Sequence, residues 1–153
     1  MKINKKQSGF TLIEILVVIG IIAILAAVVI VALNPARQFA QARNTQRTSN
    51  ANTILNAVWQ RMVDSRGVWD TDCGLGAGNE VSLPDTLTGV GTDTGLINIA
   101  ACIVPTYVSS MVLDPSTGTA EDTGYRIMEA ADGGRITVDA PGAELEEAIS
   151  VTR

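Results

Sequence analysis

The sequence of 153 residues contains no histidine, and aromatic side chains make up only 4% of it. Without histidine, the chain lacks the commonest general base of enzyme active sites. It also lacks a Gly-x-Ser-x-Gly nucleophile elbow and a Walker phosphate-binding sequence. Two cysteines without a histidine make a poor zinc site. We therefore predict that the protein is not an enzyme.

Lysine is missing beyond residue 6, and the three lysines, Lys2, Lys5 and Lys6, precede a long apolar run. The uncharged stretch Ile15–Leu33 would be about 28 Å long as a helix, which matches the hydrocarbon core of a membrane. Signal peptides and signal anchors also place basic residues before an apolar run. The length of this run and the carboxylate of Glu14 argue against both, because a charge at that depth costs on the order of 2.5–3.5 kcal/mol.

The residues around the start of the run follow a specific order. A short basic leader ends in Gly9, and Phe10, Thr-Leu-Ile and Glu14 follow before the apolar helix. This order resembles the class III leader of type IV prepilins and of type II secretion pseudopilins. The resemblance implies cleavage between Gly9 and Phe10 by a membrane peptidase, which then methylates the amine of Phe10. It also implies an α+β fold, with a long N-terminal hydrophobic α-helix packed on a small antiparallel β-sheet head.

The acid in the apolar run has a physical rationale in an assembly. Within a bundle of such helices, the carboxylate of Glu14 can pair with the Phe10 amine of a neighbouring copy, which lowers the cost of burying either charge. Glu14 would then set the register between subunits. The alternative reading is an acid at the level of the lipid headgroups with no role in assembly.

We divide the chain into a leader (1–9), a transmembrane or filament-core helix (10–33), an amphipathic helix (34–66) and a head (67–153). Asn34-Pro35 predicts a break and a kink between the two helices. One face of the second helix is predicted to turn toward a core. Its apolar positions are Phe39, Ala40, Ala51, Ile54, Leu55, Val58 and Met62. The stretch 41–52 is polar all round, so we expect it among neighbouring subunits or near the membrane surface.

Charge is unevenly distributed beyond the apolar run. The second helix region carries the arginines Arg37, Arg43, Arg47, Arg61 and Arg66, with Asp64 as the one nearby acid. Residues 67–153 contain fourteen acids and three arginines. The arginine helix of one subunit could therefore face the acidic head of another, although solvated surface charges are the simpler reading for any single arginine. An acidic head with few aromatics gives little support to DNA binding.

The head begins with residues typical of turns and ends with predicted strands. Residues 74–78 form a glycine-rich loop, and the Thr-rich stretch 86–94 is either glycosylated or simply exposed. Residues 125–129 and 135–139 alternate about the turn 132–134, which predicts an antiparallel hairpin. Ile149 and Val151 could supply a third strand. The order of Val-Pro-Thr-Tyr at 104–107, Leu-Asp-Pro at 113–115, Gly-Tyr at 124–125 and the glycine turn is similar to the heads of pilins and major pseudopilins.

Two further features of the head concern cross-links and ions. Cys73 and Cys102 can bond in an oxidising compartment, and a closed loop of about thirty residues would stabilise the head by roughly 3–4 kcal/mol. The acids Asp114, Glu121 and Asp122 lie in a region that in major pseudopilins can bind calcium. Three scattered acids match no defined calcium loop, so turn-forming surface acids are the favoured reading. No other cofactor is expected.

The resemblance implies a structural subunit of a type IV pilus-like filament. It would be a single-pass cytoplasmic membrane protein before assembly and an extracellular or periplasmic filament afterwards. Its partners would be copies of itself in a helical homopolymer, the prepilin peptidase and methylase, an inner-membrane assembly platform, minor pilins, and membrane lipid before assembly. A pseudopilin of a type II secretion system and a monomeric membrane-anchored binding domain are the alternatives, and an anchored hydrolase has the least support.

Overall fold

The computed structural model describes residues 9–76, 78–131 and 134–153. In chain order the elements are α1 (Leu12–Leu33), α2 (Pro35–Asp64), β1 (Thr88–Gly91), α3 (Ala100–Ile103), β2 (Asp122–Glu129), β3 (Ile136–Ala140) and β4 (Ile149–Thr152). The chain divides into two compact units, Met1–Gln38 and Phe39–Arg153, and the boundary falls within α2. The predicted leader residues 1–8, including Lys2, Lys5 and Lys6, lie outside the described part of the chain.

α1 is apolar around its whole circumference. Its 22 residues include one charged side chain, Glu14, an 18-residue window within it has a mean hydropathy of 3.5, and none of its residues is buried. A helix of this length is about 33 Å long and is long enough to cross a membrane. The helix therefore covers most of the stretch 10–33 that was predicted as a membrane span.

The break between the helices lies where the Asn-Pro pair predicts it. α1 ends at Leu33, Asn34 has φ +42° and α2 begins at Pro35. The left-handed backbone at Asn34 cannot continue a right-handed helix, and asparagine tolerates it better than most residues. The Asn34 side chain then accepts a hydrogen bond from the backbone N–H of Arg37 at 3.4 Å. Proline at the first position of α2 costs no hydrogen bond, because that N–H has no partner within a helix.

The core of the second unit lies between α2 and the sheet. Ala51, Ile54, Leu55, Val58 and Met62 of α2 are buried together with apolar residues of the strands. These residues confirm most of the apolar face predicted from the helical period. The exception is Phe39, which is 64% exposed, so its assignment to the core-facing stripe is wrong.

The middle of α2 corrects a second expectation. The stretch 41–52 is not uniformly solvated, because Asn44, Arg47 and Asn50 are buried. These three residues follow each other at steps of three along the helix and therefore share one face. That face is occupied by the head of the same chain. One face of the polar stretch is thus an intramolecular contact surface, whereas residues 41, 42, 45, 46, 48 and 49 are exposed, and their expected position among neighbouring subunits or near the membrane surface stays a prediction.

The sheet is antiparallel with strand order β1-β2-β3-β4. Ile127 of β2 pairs with Val138 of β3, and both side chains are fully buried, as the predicted alternation requires. Val138 also pairs with Val151 of β4, which confirms the predicted third strand. The predicted turn residues 132 and 133 lie outside the described residues. The α+β class is confirmed.

β1 is an addition to the predicted strands. Thr88 lies in this strand, although the Thr-rich stretch was expected to be loop. The outer edge of β1 is covered, because the backbone N–H of Ile97 donates to the carbonyl of Gly89 and that of Gly91 donates to the carbonyl of Ile97. A Cβ on Gly91 would lie 2.0 Å from the carbonyl oxygen of Glu121. Glycine is thus required at this close approach of two backbone segments.

Candidate assembly site

Glu14 and Thr11 form a capping box at the N-terminus of α1. The Thr11 backbone N–H and hydroxyl each donate to Glu14 Oε2 at 2.8 Å. In return, the Glu14 backbone N–H donates to Thr11 Oγ1 at 3.3 Å. These bonds satisfy backbone donors that an α-helix leaves unpaired at its start. The carboxylate is therefore held beside the first turn of the helix, close to Phe10 in sequence.

Glu14 has no cationic partner among residues 9–76, 78–131 and 134–153, since each ion pair found there joins other side chains. Its hydrogen bonds to Thr11 are neutral dipoles and do not cancel a full charge. An uncompensated carboxylate on an apolar helix is costly in a membrane or in a helix bundle. The geometry therefore leaves a charge that a second molecule could neutralise.

The residues on either side of the predicted cleavage bond are open to solvent. Phe10 is 85% exposed. A Cβ built on Gly9 would meet no atom within 4 Å. Packing within the described chain gives no reason for glycine at this position, so any requirement for it comes from another molecule.

Comparison with protein-family models gives one match, to a model described as the prokaryotic N-terminal methylation motif, over residues 4–30. The matched region contains Gly9, Phe10 and Glu14. The N-terminus is a prokaryotic methylation motif. This motif supports the resemblance to type IV pilins and pseudopilins, and with α1 it fits a membrane-anchored pilin precursor. Neither the search of curated proteins nor the search of solved structures gave a match.

Beyond the methylation motif, α2 and the head of the same chain share a charge network that was not predicted from the sequence. The guanidinium of Arg47 has no exposed surface, and its Nε donates to Asp114 Oδ2 at 2.6 Å. Its Nη1 reaches Glu144 Oε1 at 3.2 Å. The neighbouring Arg43 donates through Nε to the same Glu144 oxygen at 2.7 Å. Two arginines of α2 are thus paired with two acids of the head of their own chain.

The two asparagines of the same face extend this contact. Asn44 donates to the carbonyl of Glu144 at 2.7 Å and accepts its backbone N–H at 3.0 Å. Asn50 donates to the carbonyl of Leu113 at 3.0 Å and to the hydroxyl of Tyr125 at 2.9 Å. The signal that could have revealed this face is the spacing of three residues between Asn44, Arg47 and Asn50. Polar side chains at that spacing do not by themselves indicate burial, because the exposed faces of surface helices carry them too.

The network shifts the titration of its acids. Burial raises the pKa of Asp114, but hydrogen bonds from Arg47, Ser116 and Thr117 outweigh burial and hold that pKa well below its usual range. The hydrogen bond from Arg43 is the main cause that lowers the pKa of Glu144 to about 2. Both carboxylates are therefore ionised at neutral pH.

The position of Asp114 bears on the calcium expectation. Asp114 is 4% exposed and paired with Arg47, so the favoured reading as a surface acid is wrong for this residue. Asp122 lies in β2 and its side chain accepts the backbone N–H of Gly124. Within the described residues, no group of three or more potential metal ligands lies together. Calcium at Asp114 and Asp122 stays an untested prediction.

The two cysteines are joined, as the sequence allows. The disulfide Cys73–Cys102 connects the glycine-rich loop to α3. Arg61 of α2 joins the two segments that the disulfide links. Its guanidinium donates to the carbonyl of Cys102 at 3.1 Å and to that of Asp72 at 2.7 Å. The guanidinium carbon also lies 5.4 Å from the centre of the Trp69 ring, at cation–π distance.

Proposed function

We propose that this protein is a structural subunit of a type IV pilus-like filament and that it polymerises through α1. The observation that carries the proposal is the surface of α1: a helix of 22 residues, with Glu14 as its one charged side chain and none of its residues buried, begins within a methylation motif. Such a surface needs lipid or other helices around it, because water is a poor solvent for it. A membrane supplies the first environment and a filament core the second.

Processing follows from the same segment. A prepilin peptidase would cut between Gly9 and Phe10, and methylation would cap the new amine of Phe10. The open surroundings of both residues support access by a peptidase. The mature chain would begin with a cation four residues before Glu14.

Assembly would then neutralise the charge of Glu14. Lipid and protein are about equally apolar, so transfer of α1 from membrane to filament yields little hydrophobic free energy. Packing and the pairing of Glu14 with the Phe10 amine of a neighbour therefore supply specificity. Gly20 fits this account, because a Cβ there meets nothing within the chain and a glycine lets a neighbouring helix approach closely.

The experiment is mass analysis of the protein recovered from its native membrane or from sheared surface filaments. We expect a chain that begins at N-methylated Phe10. A chain that begins at Met1, or that is cut beyond Leu33, would refute prepilin processing. The recovery of monomers alone, correctly processed, would leave processing standing but refute the filament and favour a membrane-anchored binding domain.

A pseudopilin of a type II secretion system is the second candidate, because the methylation motif is common to both groups. The two candidates predict different locations for the processed protein. A pilus subunit appears in the sheared extracellular fraction, whereas a pseudopilin stays with the cell envelope and its deletion blocks the release of secreted proteins.

A further inference from the structure

The head contains a groove that neither the methylation motif nor the proposed assembly uses. It has a volume of about 520 Å³ and lies between the C-terminal half of α2, the loop after α3 and the end of β4. The side chains that matter are Asn56, Trp59, Gln60, Asp64, Tyr107 and Arg153. Two aromatic rings and several planar polar groups thus converge on one concave surface.

Trp59 provides the first sign that the groove is a binding site. Its indole N–H is buried and has no hydrogen-bond partner among the described residues. A buried donor left unsatisfied costs about 1–3 kcal/mol, and folded proteins rarely leave one. The exposed side chains of Gln60 and Arg153 line the same groove. Because the indole N–H is buried, a ligand reaches it only after neighbouring side chains change rotamer.

The other polar groups form a fixed array. The Tyr107 hydroxyl donates to Asp64 Oδ2 at 2.9 Å, and this hydrogen bond raises the pKa of Tyr107, so the phenol stays protonated. Arg153 Nη1 donates to Asn56 Oδ1 at 2.7 Å. Asp64 Oδ1 and Asn56 Nδ2 have no partner among residues 9–76, 78–131 and 134–153. One acceptor and one donor therefore remain available beside the indole donor.

We propose that this groove binds a neutral saccharide. Each sugar hydroxyl both donates and accepts hydrogen bonds, which matches an array containing the indole N–H, the Asn56 amide and the Asp64 carboxylate. The C–H faces of a pyranose ring can cover the rings of Trp59 and Tyr107. The groove carries one carboxylate, Asp64, and one guanidinium, Arg153, so it offers no net charge to a charged ligand, and the polar lining disfavours an apolar segment of another protein.

The test is nuclear magnetic resonance of the full chain, labelled with ¹⁵N, in micelles of a detergent without a sugar headgroup. Chitotriose and maltotriose are the probes. We expect one of them, in the millimolar range, to shift the indole N–H resonance of Trp59. The indole of Trp69 is an internal control, because it is buried and donates to the carbonyl of Val81, and its resonance should stay in place.

Variants separate the site from a general effect of sugar. Trp59→Phe keeps an aromatic ring but removes the N–H, and Asp64→Asn keeps the shape of the side chain but removes its charge. We expect each to weaken binding by about tenfold, equivalent to about 1.4 kcal/mol. Asp85→Asn, an exposed change outside the groove, should bind like the wild type. The Trp69 resonance reports whether each variant is folded.

Three results would overturn the proposal. The first is no shift of the Trp59 indole with either probe at tens of millimolar. The second is an equal shift of both indoles, which indicates a non-specific effect. The third is a shift that follows protein concentration and not sugar concentration, which would assign the groove to a second copy of the chain. If Trp59→Phe does not fold, the test depends on Asp64→Asn. Unchanged sugar binding by that variant would refute the role of the polar groups in the groove.

Discussion

The two consecutive helices of this protein each carry a charge where charges are expensive. Arg47 on α2 has no exposed surface, and Asp114 and Glu144 neutralise it within the same chain. Glu14 on α1 lies in an apolar helix and has only Thr11 as a partner among the described residues. The first charge is satisfied when the chain folds, whereas the second has no cationic partner among the described residues and could be satisfied by a cation of another molecule.

The difference teaches where each helix finds its contacts. α2 turns Asn44, Arg47 and Asn50 to its own head and forms part of the core. No residue of α1 is buried among the described residues, which fits the environment that we propose for it, a membrane or other copies of the chain. Changes on α2 should therefore alter the stability of the monomer, and changes on α1 should alter assembly. Four predictions test that division.

The largest effect is expected for Arg47→Met, which leaves the carboxylate of Asp114 buried without its cation. Removal of one partner of a buried pair costs about 3–5 kcal/mol. The measurement is urea unfolding of the full chain in detergent, followed by tryptophan fluorescence, since Trp59 of α2 and Trp69 both lie in the second unit and contact its core. Arg43→Met is the matched control. Its side chain is 37% exposed, so we expect a cost of only about 0–1 kcal/mol. Equal costs would contradict the division between buried and exposed partners.

The next effect is expected for the paired variant Cys73→Ser with Cys102→Ser. Loss of this cross-link should lower the free energy of unfolding of the head by roughly 3 kcal/mol, because the unfolded chain regains the freedom of the closed loop. The same unfolding experiment measures it, with the reduced wild-type protein as a control. Processing at Gly9 should be unchanged, since the disulfide lies in the other unit. A loss of processing would show that the two units are not independent.

The third prediction concerns assembly. Glu14→Ala should be processed normally but should yield at least about tenfold fewer sheared filaments, because an unpaired amine among apolar helices costs on the order of 2.5–3.5 kcal/mol. Thr11→Ala is the matched control, since it removes the hydroxyl bonds of the capping box and keeps the charge. If Thr11→Ala loses filaments as completely as Glu14→Ala, then the capping of α1 and not the charge of Glu14 matters.

The smallest effect is expected from pH. The pKa of Glu144 falls from 4.5 to about 2 in the folded protein, so its contribution to stability is present above pH 4.5 and is lost as the pH falls toward 2. Asp114 acts in the same direction, because its folded-state pKa is also lowered. The urea midpoint should therefore decrease between pH 5 and about pH 2. Glu144→Gln should weaken the dependence of the urea midpoint on pH. If this variant keeps the full dependence, Glu144 is not its cause.

Much of the architecture could be predicted from local patterns. The run of apolar residues predicts α1, Asn34-Pro35 predicts its end, and the alternation about the turn 132–134 predicts β2 and β3. Each of these signals depends on residues close together in sequence, where backbone geometry and side-chain period act directly. Phe39 shows the limit of the method, because a hydrophobic residue at the right period can still lie outside the contact face.

The features that escaped prediction involve partners distant in sequence. Arg47 meets Asp114 across 67 residues, and Asn44 meets Glu144 across 100. Thr88 lies in a strand because β2 offers hydrogen bonds to an otherwise weak Gly- and Thr-rich segment. The residues near them in sequence do not indicate these distant partners.

The sequence by itself determined the methylation motif, the apolar length of α1 and the β2–β3 hairpin, since these depend on composition and on short spacings, and the class of the fold was implied by the resemblance to pilins. Only the tertiary structure decided which polar residues of α2 are buried, which acids neutralise Arg47, and that Trp59, whose indole N–H has no partner among the described residues, lines a groove. The physical reason is that charge neutralisation and hydrogen-bond satisfaction depend on distances in space. Those distances exist only once α2 and the sheet have packed together.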